Sequence, residues 1–468
     1  MRRWWRWAWG CALLITVVGG PASLHSDSRA TAATGSKAWD AFAGPIDGRF
    51  GAVESWRRPA NADDLRIRWE RLTFQWSAFQ PTGPRDWNAF ASGLDKPYDA
   101  ALQSGRTLVG LLLKTPTWAA VYPNKAAGSP PKGLELPWND PGNYWGNFVY
   151  RIVKHYTGKV NDWIVWNEVS IPSGAFHTWD GTRAQYAQLV RVAYLAAHAA
   201  NPRARIALYG EPYWYDKGAY FRSVLRSLTS FPDARENNSF FDIAVLHLYS
   251  RPKDMAMVVN WCRGELAKLG LSRPVWINET NSVPRDDPLR PYPKANFNST
   301  MDDQASFIVE AAAVDLAVGV QRISVNRMAD GPDFSGGGEP FGMVRNDGSY
   351  RPLYYAYKLV THLFAGVTDG IYLPNRSTGI YTVALNRPDL RITVAWNQRG
   401  KPAAISTRIA AVAPSAYLVD KLGAIKAISP SRGYYTISLP AATDNSNPGD
   451  ANDYVVGGSP VILVQRIK

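Results

Sequence analysis

The stretch "DWIVWNEVS", residues Asp162 to Ser170, sets an asparagine and a glutamate at the end of an apolar, strand-like run. Glutamate is a poor strand residue and is rarely buried without a partner. Glu168 therefore either neutralises a buried cation or stands at the mouth of a cavity and works there. The same pattern, an apolar run ending in polar residues, recurs on both sides. Upstream lie "GRFGAVESW" (Gly48–Trp56), "LRIRWERLTF" (Leu65–Phe74) and "TLVGLLLKTP" (Thr107–Pro116). Downstream lie "RIALYGEP" (Arg205–Pro212), "FFDIAVLHLYS" (Phe240–Ser250), "PVWINETN" (Pro274–Asn281) and "RISVNRMAD" (Arg322–Asp330). Amphipathic patterns separate them, for example at Asn143–Tyr156, Ala184–Ala200 and Asp302–Gly319. Eight strands, mostly followed by helices, predict an α/β fold, a (β/α)8 TIM barrel over residues 45–365. A doubly wound sheet is the alternative, but no Gly-rich phosphate loop follows the first strand.

From about Gly366 the helical patterns stop. "GIYTVAL", "LRITVAW", "AYLVD", "YYTISLP" and "SPVILVQRI" alternate apolar and polar residues between Gly, Pro, Asn and Ser. They predict a C-terminal antiparallel β-sandwich domain over residues 366–468. At the other end, "MRRWWRWAWGCALLITVVGGPAS" has a basic start, a short apolar run and small residues after it. That is the pattern of a secretory signal peptide, assigned with its linker to residues 1–33, and it implies export to a periplasm or beyond. An uncleaved anchor is the alternative. No other run is long enough to cross a bilayer, so no stable membrane span is expected after processing.

The 468 residues carry a formal charge of +13, of which the segment before Ser36, with four basic residues and one acidic, holds +3. Such a charge suits nucleic acid, an acidic membrane surface or an acidic polysaccharide. Export, and the lack of any Lys/Arg-rich run, argue against nucleic acid. Without Cys11, Cys262 stands alone, so no intrachain disulfide is expected. A load of 19 Trp, 23 Tyr and 16 Phe means either a large aromatic core or a cleft lined with rings.

In a (β/α)8 barrel the C-terminal ends of the strands converge on one cavity. That rule selects Glu54, Arg71, Asn167, Glu168, Glu211, His247, Tyr249, Glu279, Arg327 and Asp330. For Glu54 and Glu211 a structural salt bridge is the favoured reading over substrate contact. Glu168 and Glu279, on strands four and seven, would face each other across the mouth, with no His/Cys/Asp metal cluster beside them. Paired carboxylates suit the cleavage of an acetal, one as proton donor and the other ionised against an oxocarbenium-like sugar. Their environments must hold their proton affinities apart. Arg71 and Tyr249 are placed to keep Glu279 charged, and the apolar surroundings of Trp166 to favour the proton on Glu168. No metal or organic cofactor is implied.

"WNEV" and "INET" resemble the acid/base and nucleophile motifs of clan A glycoside hydrolases, and the layout is similar to family 39 of that clan. "RLTFQWSAFQP" (Arg71–Pro81), "LLLKTPTWA" (Leu111–Ala119) and "FGMVRNDGSYRPLYYAY" (Phe341–Tyr357) extend the resemblance over most of residues 45–365. It implies Glu168 as acid/base and Glu279 as nucleophile of a retaining double displacement. It further implies Asn167 on the sugar hydroxyl beside the anomeric carbon, Tyr249 and Arg71 on the nucleophile, and His247 on the same wall. Two departures stand out: Val169 replaces a proline common after the acid/base residue, and strand eight lacks the usual tryptophan. Trp118, Tyr122, Trp138, Trp179 and Tyr213–Tyr215 follow strands on the same face and suit an extended carbohydrate cleft, with Trp118, Trp214 and Arg327 as substrate contacts. The reading is an exported retaining glycosidase of a polysaccharide or oligosaccharide, endo-acting on an exopolysaccharide. The alternatives are an exo-acting β-xylosidase-like enzyme and a non-catalytic binding subunit of a polysaccharide export machine.

Overall fold

Eight short parallel strands, buried along nearly their whole length, form the centre of the molecule. The computed structural model describes residues 38–88, 95–174, 176–292, 297–331, 339–443, 445–447 and 450–467. The signal-peptide assignment, residues 1–33, lies outside them. The barrel strands are β1 (Phe50–Ala52), β2 (Trp69–Gln75), β3 (Thr107–Leu113), β4 (Val160–Val165), β5 (Arg205–Ala207), β6 (Ala244–Tyr249), β7 (Val275–Asn281) and β8 (Arg322–Val325). Their order, β5-β4-β3-β2-β1-β8-β7-β6, is that of a barrel cut open between β5 and β6. Two parallel bridges, Ala207–Ile243 and Glu211–Leu246, close the cut. Strands covered on both faces read as continuous apolar runs, which is why "TLVGLLL" and "VNDWIV" carry so few charges.

Helices return the chain between strands. They are α1 (Pro59–Asp64), α2 (Trp76–Phe79), α3 (Asp95–Gln103), α4 (Tyr144–His155), α5 (Arg183–Ala200), α6 (Ala219–Ser230), α7 (Pro252–Ala267), α8 (Met301–Ala317) and α9 (Pro352–Leu363). Thr182 and Thr300 open α5 and α8 with capping boxes, satisfying the first free amides from within the sequence. The barrel floor is polar and aromatic. Asp162 in β4 accepts from Arg205 (2.7 Å) and Arg322 (3.0 Å), and the Arg322 guanidinium lies 4.2 Å from the ring of Trp276. A structural ion-pair network therefore exists inside the barrel, at the end opposite the polar strand termini.

Beyond α9, β9 (Asp369–Asn375), β10 (Ile380–Asn386), β11 (Leu390–Asn397), β13 (Ala416–Asp420), β14 (Ile425–Ile428) and β18 (Val461–Arg466) form an antiparallel six-stranded sheet. A ribbon of β12 (Ala404–Ala410) and β15 (Tyr434–Pro440) packs on it through Ile437, Leu439 and Ala395, and β16 (Ser446–Asn447) pairs separately with β17 (Asp450–Tyr454). The sandwich is thus unequal, six strands against two. Barrel and sheet share one compact unit, Lys37–Lys468. Their joint is α8, which is buried nearly all round. Lys421 donates to Asp302 (2.6 Å) and Ser306 (2.8 Å), and the Gly457 amide donates to Glu310 (3.2 Å).

Candidate active site

The turn after β4 presents Glu168 at the barrel mouth. Trp166 (φ 66°) and Glu168 (φ 45°) both take left-handed backbone, an uncommon state for non-glycine residues that costs of order 1 kcal/mol or more each. The Trp166 indole, buried and donating to the Thr178 carbonyl at 2.8 Å, and the Glu168 amide, donating to the Tyr209 carbonyl at 2.8 Å, hold the turn. On the facing wall, the β6–β7 register shifts between Leu246 and His247, so that His247 pairs with Glu279. Such a shift re-aims side chains. His247 Nδ1 lies 2.7 Å from Glu168 Oε1 and 3.5 Å from Glu279 Oε2. One oxygen of each carboxylate and this nitrogen all fall within 4.8 Å of one another.

Glu279 is nearly enclosed, yet it holds its charge. Burial alone would raise its pKa, but the Arg71 guanidinium, His247 and the Tyr249 hydroxyl outweigh that and bring it to about 2. Arg71 pairs with it directly, and Tyr249 donates to its Oε2 at 2.5 Å. Burial first, then the Glu279 charge, pushes the Tyr249 phenol well up, so it stays a proton-bearing donor. Asn326, one residue past β8, donates to the Tyr249 oxygen at 2.7 Å, and Asn281 donates to the Asn326 carbonyl at 2.6 Å. Arg71 also reaches Asn167 Oδ1 at 3.4 Å, so Asn167 is tied to the same array.

Glu168, Glu279, Asn167, His247, Tyr249 and Trp214 line one cavity of about 670 Å³. Arg71 stands behind Glu279. Trp118 and Arg327, expected as substrate contacts, do not line it. The Trp118 indole donates to the Gln80 carbonyl (2.7 Å) and packs edge-on to Trp76, while Arg327 pairs with Glu54 at 3.3 Å. Glu54 also pairs with Arg57 (2.8 Å), which fits its salt-bridge reading. For Glu211 that reading fails. It is 1 % exposed, meets no cation among the described residues and accepts from the Tyr209 hydroxyl, and burial pushes its pKa up to about 8. Among the other rings, Trp138 stacks on Tyr150 and Trp179 packs against Trp166, whereas Tyr215 joins Trp214 on the cavity wall.

His247 lines the same wall as expected, but the expectation that no His/Cys/Asp metal cluster lies beside the two carboxylates meets a qualification. Glu168, His247 and Glu279 present donor atoms close enough to hold a metal ion. The donor chemistry fits this poorly, because Arg71 and Tyr249 already occupy the Glu279 carboxylate. The reading missed Asn326, Arg251, Phe176, Glu339 and Phe341, all on the cavity wall. Asn326 directly follows a strand and was open to the same rule that selected Arg327; Glu339 follows "FSGGG" and carries no such signal.

No family model and no curated protein matches the chain. Solved structures do. A family 39 glycoside hydrolase from the gut symbiont Bacteroides cellulosilyticus WH2 superposes with a TM-score of 0.63 at 16% identity, over 91% of this chain and 82% of that one. A family 39 β-xylosidase from Caulobacter crescentus gives 0.55 at 17%, over 90% and 97%. A family 30 endoxylanase from Clostridium papyrosolvens C71 gives 0.56 at 13%, over 91% and 97%. The fold expected from the strand pattern is therefore the fold of these glycoside hydrolases.

Proposed function

We propose that the chain is a retaining glycosidase that cleaves O-glycosidic bonds of a polysaccharide. The observation that carries this reading is the spacing and unequal environment of Glu168 and Glu279. Their nearest oxygens fall within 4.8 Å, on the side of the roughly 5–5.5 Å separation that suits double displacement rather than the roughly 6.5–9.5 Å that leaves room for a water. Glu279, ionised against Arg71, attacks the anomeric carbon. Glu168, part-exposed at the mouth, gives a proton to the departing oxygen and then takes one from the water that releases the sugar. Tyr249 and Asn326 fix the nucleophile's line of attack.

Trp214, Tyr215 and Phe176, 37%, 54% and 52% exposed, continue the wall outward and support an endo-acting enzyme on a chain longer than the cavity. The N-terminal pattern supports export, and an exopolysaccharide is then the polymer within reach. The exo-acting reading would require the cavity to close after one sugar. Proton NMR of the first-formed anomer, with wild type and E279Q run on a polysaccharide panel, tests the proposal. Retained configuration, oligomeric products and loss of turnover in E279Q are expected. Inversion, or equal rates in both proteins, would refute it, and saccharide binding without turnover in either would leave the binding-subunit reading.

A further inference from the structure

Trp214 lines the cavity from a turn between β5 and α6, outside any helix or strand. A turn leaves the plane of a ring to be set by what touches it. Tyr213 meets the indole edge-on at 5.1 Å and rests in turn on Trp261 of α7 at 4.8 Å. The Arg251 guanidinium, at the start of α7 and on the same cavity wall, lies over the Trp214 ring at 5.1 Å from its centre. A guanidinium is drawn to the face of an indole, and it stiffens the ring when it is itself held. Arg251 is held from two parts of the chain. Its Nε donates to Asp254, on the first turn of α7, at 2.8 Å, and its Nη2 reaches Asp453 of β17 at 3.5 Å. Asp453 is anchored in turn. Lys253 pairs with its other oxygen and donates to the Tyr454 carbonyl at 2.8 Å, which also accepts from Gln398, just past β11, at 2.8 Å.

We propose that Asp453, from the C-terminal sheet, is a positioning residue for the saccharide wall: it fixes Arg251, and Arg251 holds Trp214 in the plane on which an outer sugar stacks. The proposal rests on the glycosidase reading, in which Trp214 meets a sugar beyond the bond that is cleaved. Two carboxylates on different nitrogens of a planar fork define its plane as well as its position. A carboxylate from β17 thereby reaches the cavity through one side chain, without touching the sugar. Lys421 gives the contrast. It also joins the sheet to the barrel, but it ends on Asp302 and Ser306, which do not line the cavity.

Fluorine NMR of the full chain labelled with 5-fluorotryptophan tests the brace without any ligand, W214F identifying the Trp214 resonance. That resonance should shift or broaden in D453N and in R251M, which leaves the Asp453–Lys253 pair in place. K421M should lower the melting temperature and leave it unmoved. On whichever polymer of the panel wild type cleaves, D453N should raise KM about three- to tenfold with kcat within about twofold of wild type. W214A should raise KM at least as much, and D453N should add nothing in the W214A background. A Trp214 resonance unmoved in D453N or R251M, or moved as far in K421M, would overturn the proposal. So would a D453N effect on kcat alone, or one that persists without Trp214. Turnover lost in E279Q with Trp214 unmoved in D453N would sink the brace and keep the glycosidase. A displaced Trp214 in a chain that cleaves none of the polymers would do the reverse.

Discussion

Arg71 and Glu279 are each nearly buried, and each answers the other. Replacing Arg71 by Met leaves a buried carboxylate whose remaining donors are His247 and Tyr249. The acid limb of the kcat/KM profile should then move to higher pH, because the Coulombic attraction that lowers the Glu279 pKa is gone. An unmoved limb would remove Arg71 from that role. E168Q should lower kcat/KM by about 10²–10⁴-fold on natural glycosides, and by much less on aryl glycosides whose leaving group needs no proton. Equal losses on both would deny Glu168 the role of acid. Glu211 is a linkage test. Its folded pKa, about 8, lies above its unfolded value, so the folded state binds the extra proton between them. That contribution is full below the unfolded pKa and fades as pH climbs to about 8. The stability gap between E211Q and wild type should accordingly widen in favour of E211Q across that window and level off above it. Glu168 and Glu279 were legible because carboxyls at strand ends break an apolar pattern. Glu211 breaks it equally, and only its surroundings, the Tyr209 hydroxyl and no cation among the described residues, separate a buried acid from a salt bridge. Trp118 misled for a related reason. A ring after a strand packs as readily as it stacks on sugar.

At the level of elements, the strand and helix positions followed from periodicity, and the capped helices α5 and α8 lie within a residue or two of the patterns that announced them. The turn after β4 was less legible. Two non-glycine residues in left-handed backbone have no sequence mark, and tertiary braces decide their conformation. The same is true of the segment after β5. Gly210 sits at φ 73°, and a Cβ there would come within 2.1 Å of His247 Nε2. G210A should cost about 1–2 kcal/mol in backbone strain. It should also push His247 off Glu168, lowering kcat by about a hundredfold while the barrel still folds. Unchanged kcat with lowered stability would show that His247 does not position Glu168.

For the whole molecule, the C-terminal sheet is part of the barrel's stability rather than an appendage. Without residues 366–467, α8 would expose apolar surface and the carboxyl of Glu310, and Lys253 and Arg251 would lose their contacts to Tyr454 and Asp453. The truncated chain should accumulate in inclusion bodies or melt well below the full chain in a thermal scan; an equally stable barrel would deny the joint this role. That coupling was not legible, since alternating strands announce a sheet but not what it covers. The closure between β5 and β6 has a wider consequence. It hangs on a few backbone bonds, including Leu208 to Ile243 (3.2 Å), Glu211 to Val245 (2.9 Å) and His247 to Glu211 (3.1 Å), whereas β2 and β3 share a continuous ladder. The wall that bears His247 is therefore the part of the barrel expected to open first, and its amides should take up deuterium before those of β2 and β3. A saccharide bridging Glu168 and Glu279 would clamp the two sides together, so the slowing of exchange at that joint would report occupancy of the cavity even in a protein that turns nothing over.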